Sequence, residues 1–147
     1  SLLGDYEADI IVMVSHMHDI GKVGIPDDIL HKKGRLTPNE FEVMKTHVTI
    51  GHDMLKHSQR PIMQTAAIIA LQHHEKWDGS GYPTGLSGED IPLAARIFAI
   101  IDVWDALLSK RPYRQAWPPK KVIEYIKKES GRHFDPNLVD IFIEMVE

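Results

Sequence analysis

An all-α fold is predicted for this 147-residue chain: a bundle of about six helices with one long glycine-rich loop. Three observations predict it. Apolar residues recur at helical spacing through most of the sequence. Capping residues and prolines stand where helices would begin, and glycines where they would stop. Alternating apolar and polar runs are too short for strands, and the β-branched residues lie inside helical patterns.

The elements follow in order. Gly4 or Asp5 opens a first helix to about His18, with Ile10, Ile11, Met13, Val14 and Met17 as its apolar positions. Gly21, Gly24, Pro26 and Gly34 mark a loop after it. Thr37-Pro-Asn-Glu40 is a capping box with proline at the first helical position, so a second helix runs from there to about His57. Pro61 opens a third helix ending near Lys76. Residues 77–90 hold four glycines and one proline and form an extended loop. Pro92 opens a fourth helix that stops before Pro112; Pro118 and Pro119 open a fifth, closed at Gly131. Asp135-Pro136 opens a sixth that reaches the last residue.

Composition narrows the function. Apolar residues make up 43% and charged residues 26%, an ordinary folded-domain balance. A net charge of −4 gives no general attraction to nucleic-acid polymers or anionic membranes. Cysteine is absent, which excludes disulfides, zinc-thiolate sites and cysteine nucleophiles. No apolar stretch approaches the roughly 18 residues of a membrane span, and no leader pattern is visible, so a cytoplasmic setting is expected.

Nine histidines are present, several beside carboxylates. Four polar clusters stand in or at the ends of apolar helices: His18-Asp19, His47, His73-His74 and Asp102. Imidazole and carboxylate suit iron, manganese and zinc. Without thiolates the set points to a hydrolytic metal centre, in which an aspartate can bridge two cations. Asp102 is costly in so apolar a helix unless paired, and the structural alternative to a ligand role is a buried ion pair with Arg96. His16, His31, His52, His57 and His133 read as surface or packed residues, and Lys120, Lys121, Lys127 and Lys128 as a solvated helix face.

The run His18-Asp-Ile-Gly-Lys-Val-Gly-Ile-Pro26 resembles the signature of HD-domain phosphohydrolases. Trp77-Asp-Gly-Ser-Gly-Tyr-Pro-Thr-Gly-Leu86 resembles the Gly-Tyr-Pro loop of the HD-GYP subfamily. Lys45-Thr-His47, His73-His-Glu75, Asp102-Val-Trp-Asp-Ala-Leu107 and Arg111-Pro-Tyr-Arg114 follow that subfamily in order and spacing. The resemblance covers nearly the whole chain and implies a helical HD domain that hydrolyses cyclic di-GMP to pGpG, in some members on to GMP, in bacterial second-messenger signalling. It implies two or three iron or manganese ions. By position, His18, Asp19, His47, His73, His74 and Asp102 would be ligands, with Asp19 bridging.

Lys22 would stabilise phosphoryl charge or position the attacking water; its alternative is an ordinary surface lysine. Arg111 and Arg114 would contact phosphates, or else complement a helix C-terminus. Tyr82, with Gly81 beside it, would meet the substrate; the alternative for Tyr82 is a loop anchor. Gly79, Gly81 and Gly85 permit backbone conformations closed to other residues.

The family has at least one further helix before the point where this sequence starts, carrying another metal-binding histidine. Residues 1–147 are therefore expected to be a single HD-GYP domain lacking those helices, with an incomplete metal centre and an apolar surface that favours a homodimer. Expected partners are cyclic di-GMP, diguanylate cyclase domains and an upstream receiver or sensor domain. The rival readings are an HD phosphohydrolase acting on another nucleotide and a catalytically silent interaction module.

Overall fold

The computed structural model describes residues 13–110 and 115–147. Arg111 and Arg114, and most of the first expected helix, lie outside the described residues. Among the described residues there are seven α-helices, three short 3-10 segments and no strand; the one bridge joins Ser130 and Phe134. The chain forms two compact units, one through His74 and one over Glu75–Glu147.

In the first unit, the helical end at Met13 and Val14 tightens into a 3-10 turn, Ser15–Met17. His18 and Asp19 therefore lie on a turn rather than inside a helix. A second 3-10 segment, Ile20–Gly24, and a one-turn helix α1, Asp27–Leu30, occupy the expected loop. Next come α2 (Pro38–Lys45), α3 (His47–Leu55) and α4 (Pro61–Gln72). The α2 start is as expected: Glu40 N–H donates to Thr37 Oγ1, and Thr37 N–H to Glu40 Oε2.

The single helix expected from Thr37 to His57 is two. It breaks at Thr46, whose N–H and hydroxyl both donate to the Val43 carbonyl. A threonine hydroxyl bonding its own preceding turn competes with the helix ladder. The break starts a new helix at His47 and buries that ring at 1% exposure. Likewise α4 stops at Gln72, four residues early, leaving His73 as its C-cap. Val48, Ala66, Ile69 and Ala70 are fully buried, with α3 packed on α4 and on Ile20–Gly24.

The second unit holds α5 (Leu93–Leu108), α6 (Pro119–Lys128) and α7 (Pro136–Val146). Its core joins Ile100 and Leu107 of α5, Val122 and Ile126 of α6, Phe134, and Leu138, Val139 and Ile143 of α7. Lys120, Lys121, Lys127 and Lys128 are exposed on α6, as expected.

Asp135 caps α7 by accepting from Asn137 N–H, and its other oxygen takes Arg96 Nη1 at 2.6 Å. Arg96 also donates from Nε to the Ile91 carbonyl. Asp135 is 3% exposed. Removing it with Asp135→Ala strands a largely buried guanidinium and deletes a cap. The expected cost is about 3–5 kcal/mol, read as a drop in the urea unfolding midpoint. A midpoint within error of wild type would contradict this account of the pair.

Candidate metal centre

Three elements of the first unit converge: the His18-Asp19 turn, the first turn of α3, and the C-terminal end of α4. Two glycines let them approach. Gly21 lies against the backbone of α3, where a Cβ would collide with the His47 carbonyl oxygen and the Gly51 nitrogen. Gly51 in turn faces Gly21, Ala70 and Ile20. No other residue type permits that backbone contact at Gly21.

The approach gathers Asp19, His47, His73 and His74, with one potential ligand atom from each lying within 4.8 Å of all the others. Asp19 is central. Its Oδ1 is 3.4 Å from His47 Nε2 and 3.9 Å from His73 Nε2. Its Oδ2 is 3.2 Å from His18 Nε2 and 2.6 Å from Lys22 Nζ. The two carboxylate oxygens thus face two different sets of partners, as a bridging carboxylate requires. The rings of His73 and His74 lie 4.0 Å apart, and His47 stands edge-on to both.

The imidazoles are oriented by backbone carbonyls. His47 Nδ1 donates to Met44 O at 2.7 Å, His73 Nδ1 to Ile69 O at 2.9 Å, and His18 Nδ1 to Ser15 O. A carbonyl only accepts, so the proton sits on Nδ1 and the lone pair on Nε2. That is how second-shell groups present a metal-binding histidine. His47 Nε2 is buried with no hydrogen-bond partner. An orphaned buried nitrogen next to a carboxylate and two more imidazoles fits a divalent metal ion, and the nitrogen-oxygen donor set suits iron, manganese or zinc.

Electrostatics agree. Burial alone would raise the Asp19 carboxyl, but the His18, His47 and Lys22 side chains gathered around it outweigh burial and hold the group far below the usual carboxylate range. Burial, aided by charge on His18, pushes His73 down to about 4. Burial and the neighbouring His73 push His74 down as well. Both rings are neutral at physiological pH, with lone pairs available.

A pH dependence follows. His73 binds a proton less readily folded than unfolded, so the unfolded chain takes up more protons between the ordinary value of 6.5 and about 4. His133, stacked on Phe134, is also held near 4, by burial first and Lys76 second. The urea midpoint of the metal-free protein is expected to be highest above pH 6.5 and to fall as pH drops towards 4. A flat profile across that window would contradict it.

His18 adjoins the cluster through Asp19 but is not one of the four converging residues. Lys22 is ion-paired to Asp19, its Nζ 2.6 Å from Oδ2. Asp102 sits mid-α5 in the second unit, partly buried, and its ligand role rests on the resemblance alone. Arg96, its expected structural partner, holds Asp135. His16, His31, His52, His57 and His133 stay outside the cluster.

The glycine-rich loop belongs to the second unit. Positive φ falls at Gly79 (80°), Gly85 (74°) and Gly88 (56°), and Gly81 is not among these residues. Tyr82 is partly buried. One residue in this unit was quoted in a motif but given no role. The Glu75 side chain, 2% exposed, accepts N–H bonds from Thr84, Gly85 and Leu86. The only sequence signal for it was an acid directly after two candidate ligands.

The HD-domain family profile matches residues 7–138. The chain belongs to the HD-domain family. Its Gly-Tyr-Pro loop places it in the HD-GYP group. It is 51% identical to the Xanthomonas campestris cyclic di-GMP phosphodiesterase response regulator RpfG, over 96% of this chain and 37% of that protein. It is 50% identical to the Vibrio cholerae 3'3'-cGAMP-specific phosphodiesterase 2, over 97% of this chain and 27% of that one. A Thermotoga maritima cyclic di-GMP phosphodiesterase is 48% identical, over 92% of this chain and 37% of that one. The chain thus spans 27% to 37% of the length of these relatives. A solved Vibrio cholerae cyclic GMP-AMP-specific phosphodiesterase shares the fold, with a TM-score of 0.71 at 20% identity over 98% of this chain and 39% of that one. The HD-domain bundle expected from the sequence is therefore the fold observed.

Proposed function

We propose that this HD-GYP domain is a metal-dependent phosphodiesterase that hydrolyses cyclic di-GMP to pGpG or GMP. The observation that carries the reading is Asp19 set among His18, His47, His73 and His74, with its two oxygens facing different partners. Divalent ions, iron or manganese, held by Asp19, His47, His73 and His74 with His18 and Asp102, would supply Lewis-acid activation of water and neutralise phosphoryl charge.

The chain's own residues have definite tasks. Asp19 stays ionised and presents both oxygens. The Ser15, Met44 and Ile69 carbonyls fix the imidazole tautomers. Lys22 holds Asp19 and places a positive charge where a phosphodiester would bind. Arg111 and Arg114 would contact the phosphates, and Tyr82 and Gly81 would meet the substrate, Tyr82 by stacking on a guanine or by a hydrogen bond near a phosphate. In the reaction, water oxygen bonds to phosphorus, the bond from phosphorus to the ribose 3' oxygen breaks, and a proton passes from the water to that oxygen. The cyclic ring opens to a linear dinucleotide.

A second substrate is favoured by one specific observation: relatives of similar identity are named for cyclic di-GMP and for 3'3'-cGAMP. Initial rates on the two cyclic dinucleotides, mixed in equal amounts with the metal-loaded full-length protein, decide between them. Preferential loss of cyclic di-GMP supports the proposal, and preferential loss of 3'3'-cGAMP moves the substrate to the latter. Because one of the relatives is named a response regulator, an upstream receiver or sensor domain is the proposed source of control. Docking of a diguanylate cyclase on the Gly-Tyr-Pro loop is the proposed protein contact.

A further inference from the structure

The glycine-rich loop is held at both ends. At its start, Trp77 N–H donates to the His133 carbonyl, Asp78 N–H to the Arg132 carbonyl, and Gly88 N–H returns to the Trp77 carbonyl. Arg96 lies over the Trp77 ring. At the far side one buried carboxylate does the holding. Glu75 Oε1 accepts from Thr84 at 2.8 Å, and Oε2 accepts from Gly85 and Leu86 at 3.1 Å each.

Those three donors directly follow Tyr82-Pro83. A loop of this composition has high conformational freedom, and Gly79 and Gly85 adopt backbone angles costly to other residues. Three charge-assisted bonds to one buried group select a single conformation from that freedom. Both oxygens must be acceptors, because every facing group is an N–H. A carboxylate meets the demand, and an amide cannot.

The geometry points to Glu75 as a positioning residue for substrate binding: it locks Thr84–Leu86 so that Tyr82 is presented to the cyclic dinucleotide in one preorganised conformation. This rests on the phosphodiesterase reading above. Glu75 touches neither the reacting phosphate nor a metal in this role. Its effect passes through the loop, so it falls on KM rather than kcat.

The test is steady-state hydrolysis of cyclic di-GMP by the metal-loaded full-length protein carrying Glu75→Gln, with metal content measured on the same sample. The amide turns an N–H donor towards one of the backbone donors and breaks the lock. The expected result is a KM raised by about tenfold, kcat within about threefold of wild type, and unchanged metal content. Tyr82→Ala should also raise KM, and the double variant should be no worse than Tyr82→Ala alone, because both act through one contact. An unchanged KM in folded Glu75→Gln overturns the inference. So does a parallel loss of metal and kcat at constant KM, which would make Glu75 a support for the preceding His74. Should Glu75→Gln fail to fold, Glu75→Asp keeps the charge and shortens the reach, and the same KM criterion applies. A wild-type protein that hydrolyses no cyclic dinucleotide overturns the functional reading itself. A wild type that does, with variant kinetics unchanged, overturns this inference alone.

Discussion

Asp19→Asn is expected to reduce kcat by at least about a thousandfold, roughly 4 kcal/mol of lost transition-state stabilisation. The substitution keeps the shape and removes the charge. It also converts one acceptor into a donor at a point where both oxygens are engaged, one facing His47 and His73, the other His18 and Lys22. Whichever way the amide turns, its NH2 meets either the Lys22 ammonium or the imidazole set. Metal content should fall with the rate, because Asp19 is the group that links the two sets of partners. The check is kcat alongside metal stoichiometry in the full-length protein. Near-normal turnover would remove Asp19 from the centre of the mechanism.

The second large effect lies in packing. Gly21→Ala adds a single methyl group, but that methyl meets the His47 carbonyl and the Gly51 nitrogen, both main-chain atoms that cannot swing aside. The Ile20–Gly24 segment must lift from α3, which costs about 3 kcal/mol, the upper end for overpacking. Lifting it also draws Asp19 away from His47, so metal affinity should fall together with stability. Gly24→Ala is the contrasting case. Its Cβ would meet only the Ile50 side chain, at 3.0 Å to Cδ1, and that chain can rotate. A loss below about 1 kcal/mol is expected there. Urea midpoints and metal titrations of the two variants check the pair of expectations. Equal behaviour of both would contradict the close-approach argument.

Much of this architecture is legible before any coordinates. The Thr37–Glu40 box, the prolines at helix starts and the apolar spacing locate the helices, because each is a local signal with a local cause. The break at Thr46 is not legible, since both flanking segments are good helix and the break shows only in the bonds of the Thr46 N–H and hydroxyl to the Val43 carbonyl. The early end of α4 hides for a related reason: His73, His74 and Glu75 fit a helical pattern, but the chain turns there to cap the helix. Among the site residues, no single histidine announces itself as a ligand. Their order and spacing do, and the fold then brings His47 and His73-His74 to Asp19 from separate elements. The role of Glu75 depends on donors nine to eleven residues away in an irregular loop, a distance over which no periodicity operates. Which glycines of residues 77–90 take a positive φ is not legible either, because glycine content locates a flexible loop without saying which glycines bear the turn.

The Asp19–His47–His73–His74 cluster is proposed as the metal centre of a cyclic-dinucleotide phosphodiesterase. Its most direct test is anaerobic incubation of the full-length protein, loaded with iron(II) or manganese(II) and assayed for bound metal, with cyclic di-GMP, followed by chromatography of the products. Metal-dependent appearance of pGpG or GMP is the expected result. Intact cyclic di-GMP after incubation with a protein of confirmed metal content would contradict it.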